Sequence, residues 1–349
     1  MLEGSGPVTA PLLPYITLPE IPIFPSFTLG GTTVDTITIK PFGALVATGV
    51  YVGWALVLRQ AKKMRLDIEV MNSFIAWVVG IGFVGGHVLD VILYHPDKLT
   101  HAPSILAAIQ ELVFLWRSLS SFGGFIGAVI GLFIWKYRYK VRETMPWADI
   151  VVSAFPLAWV FGRSGCTVAH DHPGLRSDVW FAVQYPGGAR FDLGLYEMLF
   201  TVPLALSCLY LMRRERPSGF FMGLICLAYA PTRFALDFLR ARDVRDADPR
   251  HLGLTPAQWL CFGMLGIGAF IYVRAMREAE RGHDLLARAR LLNADLVRDP
   301  SLRAATPARK GASAEVDDED EEEEEEEEEV EQEAKPVRRA KKAKRARRA

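Results

Sequence analysis

The sequence predicts an all-α, polytopic integral membrane protein. Half of the 349 residues are hydrophobic, and they are concentrated between about Phe42 and Val273. Seven stretches in that part of the chain are long and apolar enough to cross a bilayer, which takes roughly 17 to 25 residues per helix. The predicted spans are residues 42–58, 70–93, 122–136, 147–163, 193–212, 219–239 and 257–274.

Changes in composition divide the chain into four predicted parts. Residues 1–41 are rich in Pro, Thr and Gly and form an N-terminal arm, and residues 42–274 form the membrane domain. Residues 275–300 are charged and rich in Ala and Leu, which favours a juxtamembrane helix. Residues 301–349 carry an acidic and then a basic block, and blocks of like charge of this length are typical of disorder.

The basic residues between the spans predict the orientation. Clusters of Lys and Arg follow the first, third and fifth spans, whereas most of the alternate loops carry fewer, the loop 240–256 with its four arginines being the exception. The positive-inside rule then places the N-terminus outside and the C-terminus in the cytoplasm. Loop 164–192 is therefore predicted to be external. The basic tail end can contact anionic lipid or the acidic block, and we expect no nucleic acid partner.

Charged residues at the ends of apolar spans indicate the candidate site. Arg163 ends the fourth span, and Arg233 and Asp237 lie four residues apart on the sixth. Charge at membrane depth marks function by default, and two guanidiniums suit a phosphate, which they bind with paired N–H groups. The alternatives are an arginine that snorkels to the headgroups and an internal ion-pair network in which Asp237 balances Arg233.

His170 and His172 follow Arg163 in the external loop, and either is a candidate general base. The alternative is that both are loop residues without chemistry. Their spacing also occurs in metal sites, but no clear third ligand follows, so the sequence predicts no metal. Gly123 and Gly124 open the third span and allow close approach of a helix or a lipid.

These residues resemble the phosphatidylglycerol–prolipoprotein diacylglyceryl transferases of bacterial inner membranes. The resemblance covers about residues 21–274. The family pattern G-R-x-G-N-F-x-N-x-E-x-x-G is matched by Gly162, Arg163, Gly165 and Gly174, with Asp171 in the glutamate position. The pattern Y-G-x-x-R-F-x-x-E-F-x-R is matched by Tyr229, Arg233, Phe234, Asp237, Phe238 and Arg240, and Leu195–Glu197 matches a further segment.

Several family positions differ in this chain. Phe42 stands in place of a tyrosine, and Phe122 in place of the histidine that precedes the paired glycines. Cys166 and Ala169 replace the two asparagines of the signature. These differences keep a second interpretation open, in which the chain is an inactive or repurposed scaffold that binds lipid or lipoprotein. A small-solute transporter is a third, weakened by the lack of an inverted repeat.

The resemblance implies a multi-pass protein of the bacterial inner (plasma) membrane. It would transfer a diacylglyceryl group from phosphatidylglycerol to the lipobox cysteine of prolipoproteins, and its partners would be those two substrates and membrane lipid. No cofactor is implied. Arg163 and Arg233 would hold the phosphate, and His170 or His172 would act as the base. The implied substrate-binding residues are Gly123, Gly124, Gly165, Gly174, Asp171, Glu197, Asp237 and Arg240.

Overall fold

The computed structural model describes residues 13–302, except 30–31, 35–36, 94–95, 103, 106–107, 110–111, 113–119, 245–246 and 249. The predicted acidic and basic blocks lie outside the described residues. The long helices are α1 (Pro41–Lys63), α2 (Ile68–Leu93), α4 (Ser121–Arg138), α5 (Met145–Ala169), α6 (Leu193–Leu211), α7 (Phe220–Leu236) and α8 (Pro256–Glu280). The short helices are α3 (Asp97–Thr100), α9 (Leu285–Arg290) and α10 (Ala294–Arg298), and a 3-10 turn (Asp237–Leu239) follows α7.

The prediction of an all-α polytopic membrane protein is confirmed. Six helices are long and apolar enough to cross a membrane, namely α1, α2, α5, α6, α7 with its 3-10 turn, and α8. The predicted third span is helix α4, whose 18 residues extend for about 27 Å at the usual rise of an α-helix. All seven predicted spans are therefore helical.

Glycines bring the helices together in pairs. A Cβ atom added to Gly123 of α4 would lie 2.5 Å from the carbonyl oxygen of Gly85 in α2, so only glycine fits there. Helix α1 approaches α5 in the same way, since a Cβ on Gly49 would lie 2.7 Å from the carbonyl oxygen of Ala158. Small residues of this kind allow membrane helices to pack closely, where a hydrophobic driving force between helices is absent.

The segment predicted as a juxtamembrane helix, residues 275–300, contains three helical pieces rather than one continuous helix. Helix α8 continues to Glu280, and Gly282 then adopts a left-handed conformation (φ 69°) that ends it. Asp284 caps α9 by accepting a hydrogen bond from the backbone N–H of Ala287. Leu286 and Ala289 of α9 and Val297 of α10 join a buried hydrophobic core that includes Trp135 and Trp147.

The predicted external loop contains regular structure that the sequence analysis did not predict. Strands β5 (Pro173–Arg176), β6 (Val183–Tyr185) and β7 (Gly188–Asp192) form an antiparallel sheet in the order β5-β7-β6. The N-terminal arm contributes two antiparallel pairs, β1 (Ile21–Phe24) with β4 (Ile37–Ile39), and β2 (Phe27–Leu29) with β3 (Thr32–Val34). The arm also contacts the sheet, since Leu13 bridges Val183.

Helix α5 does not end at Arg163, where the sequence predicted its end. It continues for six more residues to Ala169, and His170 ends it in the left-handed conformation (φ 51°). The physical reason lies in the neighbouring helix, where Glu197 provides a countercharge for Arg163. A paired arginine can remain inside a packed membrane helix, so its charge no longer marks the helix end.

Candidate active site

Arg163 and Glu197 form a buried ion pair between helices α5 and α6. The side chain of Arg163 is 4% exposed and that of Glu197 is 1% exposed, and 2.8 Å separates Arg163 Nε from Glu197 Oε1. Trp159, one turn earlier on α5, places its ring 4.7 Å from the guanidinium carbon. Its indole N–H donates to the same Glu197 oxygen over 3.3 Å. The carboxylate is thereby held beside the cation.

Arg233 approaches the same carboxylate from helix α7. Its Nη1 lies 4.0 Å from Glu197 Oε2 and 3.0 Å from Asp237 Oδ1. The hydroxyl of Tyr229, one turn earlier on α7, donates to Glu197 Oε1. Glu197 thus lies between two guanidiniums that come from different helices. The structure brings the two predicted phosphate-binding arginines to one place.

The network of charges continues to a fourth part of the chain. Arg240 contacts Asp237 Oδ1 through Nε at 3.2 Å and Asp248 Oδ2 through Nη1 at 2.8 Å. The hydroxyl of Thr255 donates to Asp237 and also accepts the capping hydrogen bond at the start of α8. Arginines and carboxylates alternate along this path, so the charges balance within the protein. The alternative of an internal ion-pair network is therefore correct for Asp237, which balances Arg233.

Charge balance does not use all of the arginine donors. Within the part of the chain that the structure describes, Nη2 of Arg163 and both Nε and Nη2 of Arg233 form no hydrogen bond. A guanidinium carries five N–H donors in a planar fork that matches two phosphate oxygens. The two arginines therefore keep donors that a phosphate group can accept.

A cavity of about 200 Å³ lies next to this network. Arg240 and Asp248 contribute to its wall, together with Asp171 from the turn after α5. The other residues that line it are Pro173, Ala241, Val244 and Ala247.

Asp171 and His172 lie on the same side of α5 as Arg163. The Sγ atom of Cys166 is 3.7 Å from Arg163 Nη1, and Cys166, Asp171 and His172 each place a polar atom within 4.8 Å of the other two. His172 Nδ1 lies 2.9 Å from Asp171 Oδ1. Partial burial acts to raise the pKa of Asp171, but His172 and Arg163 outweigh it and lower this pKa. Asp171 is therefore an anion at neutral pH.

His170, one of the two predicted bases, belongs to a different set of contacts. Its Nδ1 lies 2.8 Å from Asp192 Oδ2 and its Nε2 lies 3.0 Å from the carbonyl oxygen of Ile16. The ring of Tyr15 stacks on it at 3.8 Å, and the hydroxyl of Tyr185 also donates to Asp192. Both ring nitrogens contact acceptors within the protein, and this geometry favours a structural role for His170 over that of a base.

Three of the four predicted substrate-binding glycines pack closely against other parts of the chain. Gly123 is closed by helix α2, and a Cβ on Gly165 would lie 3.0 Å from the ring of Phe42. A Cβ on Gly174 would lie 2.6 Å from Phe191 in the sheet. Gly124 is less crowded, since the nearest atom to an added Cβ is 3.8 Å away. Contacts within the chain therefore explain why glycine is favoured at Gly123, Gly165 and Gly174.

Three residues of the site were not predicted to be functional. Trp159 and Tyr229 each precede a site arginine by four residues, and this spacing places them on the same helix face as Arg163 and Arg233. That spacing was the available signal. Cys166 was noted only as a departure from the family pattern, and the structure places it between Arg163 and Asp171.

The fold and the site define a multi-pass membrane protein with a buried, arginine-rich polar centre. Comparison with known families gives a match to the model of the prolipoprotein diacylglyceryl transferases over residues 32–274. The chain belongs to this family of transferases, which confirms the resemblance seen in the sequence.

Curated relatives carry the name phosphatidylglycerol–prolipoprotein diacylglyceryl transferase. The protein of Idiomarina loihiensis is 28% identical over 231 residues, which cover 64% of this chain and 84% of the relative. That of Nitratidesulfovibrio vulgaris is 28% identical over 255 residues, 71% of this chain and 94% of the relative. That of Rhizobium leguminosarum bv. trifolii is 27% identical over 300 residues, which cover 78% of this chain and 98% of the relative.

Proposed function

We propose that this protein transfers a diacylglyceryl group from phosphatidylglycerol to the lipobox cysteine thiol of prolipoproteins. The names of its relatives support both substrates. The observation that carries the proposal is the pair of arginines on either side of Glu197, with N–H donors left over for a phosphate. We place the protein in the bacterial inner membrane, with the N-terminus and the site on the external side and the C-terminus in the cytoplasm.

The reaction makes a clear demand on these arginines. The thiol sulfur forms a bond to the terminal glycerol carbon of the diacylglyceryl group, and the bond from that carbon to the phosphate oxygen breaks. Glycerol phosphate leaves with the electron pair of the broken bond. Negative charge grows on the phosphate in the transition state, and fixed N–H donors of Arg163 and Arg233 stabilise it. Such donors lie in a site where water is scarce, which strengthens their effect.

Glu197 and Asp237 act in this proposal as positioning residues. Glu197 is held by Trp159 and Tyr229, and it limits the orientations open to Arg163. Asp237 does the same for Arg233. Because each carboxylate is fixed before substrate binds, the two guanidiniums need little rearrangement during the reaction.

His172 is the remaining histidine that could help to ionise the substrate thiol. It lies beside Asp171 and close to Cys166, which in turn contacts Arg163. His170, by contrast, contacts Asp192 and the carbonyl oxygen of Ile16 with its two ring nitrogens. A thiol with its ordinary pKa of about 8.5 is mostly protonated at neutral pH, so the reaction needs a group that favours the thiolate. We assign that task to the region of His172.

Diacylglyceryl transfer in vesicles tests the proposal. The purified protein would be supplied with phosphatidylglycerol and a lipobox peptide, and Arg163→Lys and Arg233→Lys would be compared with Arg274→Lys. Lysine keeps the charge but loses the planar fork, and Arg274 is an exposed arginine of α8 that pairs with Glu278. We expect transfer to fall about 100-fold in each site variant and to persist in Arg274→Lys. Full transfer by both site variants would refute the role of the arginines.

The same assay separates an enzyme from a scaffold. If the unmutated protein binds phosphatidylglycerol but transfers nothing, while an active family member does so beside it, the chain binds lipid without catalysis and the proposed function is wrong.

A further inference from the structure

Three metal-ligand side chains converge at the external end of helix α5. Cys166 lies in the last turn of the helix, and Asp171 and His172 follow His170, whose left-handed backbone ends the helix and turns the chain. One ligand atom from each of the three lies within 4.8 Å of the other two. Cys166 is buried, His172 is half-buried and Asp171 is exposed. The sequence indicated only the two histidines and no metal, because the third ligand, Cys166, lies upstream of them on the helix.

The ligand chemistry fits one ion in particular. A thiolate, an imidazole and a carboxylate are the side chains that bind Zn²⁺, and three protein ligands with one open position are typical of catalytic rather than structural zinc sites. Zn–S and Zn–N bonds of about 2.3 and 2.0 Å place two ligands of one ion roughly 3 to 4 Å apart. The ligand atoms of Cys166, Asp171 and His172 are within about 1 Å of that spacing.

The local charges also suit a divalent cation. The thiolate of Cys166 and the carboxylate of Asp171 together neutralise two positive charges. Arg163 is the nearest cation, with Nη1 3.7 Å from Cys166 Sγ, but its charge is already balanced by Glu197 at 2.8 Å. A metal ion that binds Cys166 has to displace the thiol proton, because metals bind cysteine as the thiolate.

One polar atom of the cluster lacks a satisfactory partner. Nδ1 of His172 is buried and forms no properly aligned hydrogen bond with any residue that the structure describes, although Asp171 Oδ1 is 2.9 Å away. A buried ring nitrogen without a hydrogen bond is uncommon and needs an explanation. A metal ion that binds both His172 and Asp171 would supply one.

We propose that Cys166, Asp171 and His172 form a zinc site with one open coordination position. Asp171 also lines the cavity of about 200 Å³ beside Arg240 and Asp248, so a ligand in that cavity can reach the metal.

The role of this zinc rests on the proposed function. At its open position the ion would favour the thiolate form of a prolipoprotein thiol, whose proton would pass to water. Its sulfur then forms the bond to the glycerol carbon while the carbon–oxygen bond to phosphate breaks, and glycerol phosphate leaves with that electron pair. His172 acts in this scheme as a metal ligand rather than as a free base.

Metal binding by the purified full-length protein, without any substrate, tests the site itself. We expect one zinc ion per chain in the unmutated protein by elemental analysis. Cobalt added to the metal-free protein should give the charge-transfer absorption of a cobalt–thiolate bond. In Cys166→Ser that absorption should disappear. In His172→Ala the cobalt affinity should fall by more than about 100-fold, which exceeds the loss expected when a residue outside the coordination shell is changed.

Matched controls separate the site from nonspecific binding. Cys226→Ser removes a half-buried thiol of α7, and His283→Ala removes an exposed imidazole. Both controls should bind cobalt like the unmutated protein. The proposal would be overturned if the unmutated protein bound no metal. It would also be overturned if Cys166→Ser and His172→Ala bound cobalt as tightly as the unmutated protein.

Transfer measured on the metal-free and zinc-loaded protein then tests the role. Transfer that needs zinc supports it. Transfer that is equal in both forms would refute the role of zinc while the proposed function stands, and a failure of the proposed function would appear as zinc binding without transfer in either form.

Discussion

Among the residues that the structure describes, two networks of buried charge differ in the hydrogen-bonding groups that they leave without a partner. In the network of Arg163, Glu197 and Arg233, the charges balance but several arginine N–H groups have no partner among the described residues. In the network of His170 and Asp192, both ring nitrogens and both carboxylate oxygens contact the protein. Burial and charge alone do not distinguish a site from a structural network, whereas unused hydrogen-bonding capacity does.

Substitution of His170 and of His172 should have opposite effects on stability and on transfer, and these are the largest effects that we expect. His170→Asn would remove the contacts to Asp192 and Ile16 but keep a residue that tolerates the left-handed conformation. Breaking a buried pair costs roughly 3–5 kcal/mol, so we expect a large loss in the free energy of unfolding and little change in transfer per folded molecule. His172→Asn should reduce transfer about 100-fold and leave stability nearly unchanged.

Chemical denaturation in detergent, followed by transfer assays on the folded fraction, would check both variants. The reverse pattern, with transfer lost in folded His170→Asn and kept in His172→Asn, would exchange the roles of the two histidines.

We expect a smaller effect on stability from the exposed ion pair of Arg190 and Asp243. Arg190 donates two hydrogen bonds to the exposed carboxylate of Asp243, and these hold the pKa of Asp243 well below its usual range. A lowered pKa in the folded state adds stability above about pH 4, the usual pKa in the unfolded chain, and this stability is lost as the pH falls further. Because Asp243 is exposed, solvent and salt weaken the contribution.

Thermal unfolding across a pH series would measure this contribution. The Tm of the unmutated protein should exceed that of Asp243→Asn by a small amount at neutral pH, and the difference should shrink in acid. A difference that grows in acid would contradict the assignment of the lowered pKa to Arg190.

Much of the fold was predictable because the membrane imposes simple length and polarity rules. The seven predicted spans are all helices, and the convergence of Arg163 and Arg233 followed from charge at one depth. The end of α5 was not predictable in this way, because the residue that neutralises Arg163 is Glu197, more than thirty positions later in the chain. A local pattern carries no information on that pairing.

The loop between α5 and α6 was the hardest part of the chain to predict. The contact between His170 and the carbonyl group of Ile16 joins residues 154 positions apart, and only the folded chain shows that it occupies the ring. The same holds for Arg190 and Asp243, which link the sheet to the segment after α7. Cys166 looked like a loss from the family pattern, and its proximity to Asp171 and His172 became visible only in three dimensions.

Competitive lipid binding tests whether Arg163 and Arg233 hold the phosphate of phosphatidylglycerol. Competition against labelled phosphatidylglycerol would compare phosphatidylglycerol with diacylglycerol, which lacks the phosphate. The unmutated protein and Arg274→Lys should prefer phosphatidylglycerol, and Arg163→Lys and Arg233→Lys should reduce that preference by at least about tenfold, since each loses the paired N–H donors. An unchanged preference in both site variants would show that the phosphate is bound elsewhere and would contradict the account.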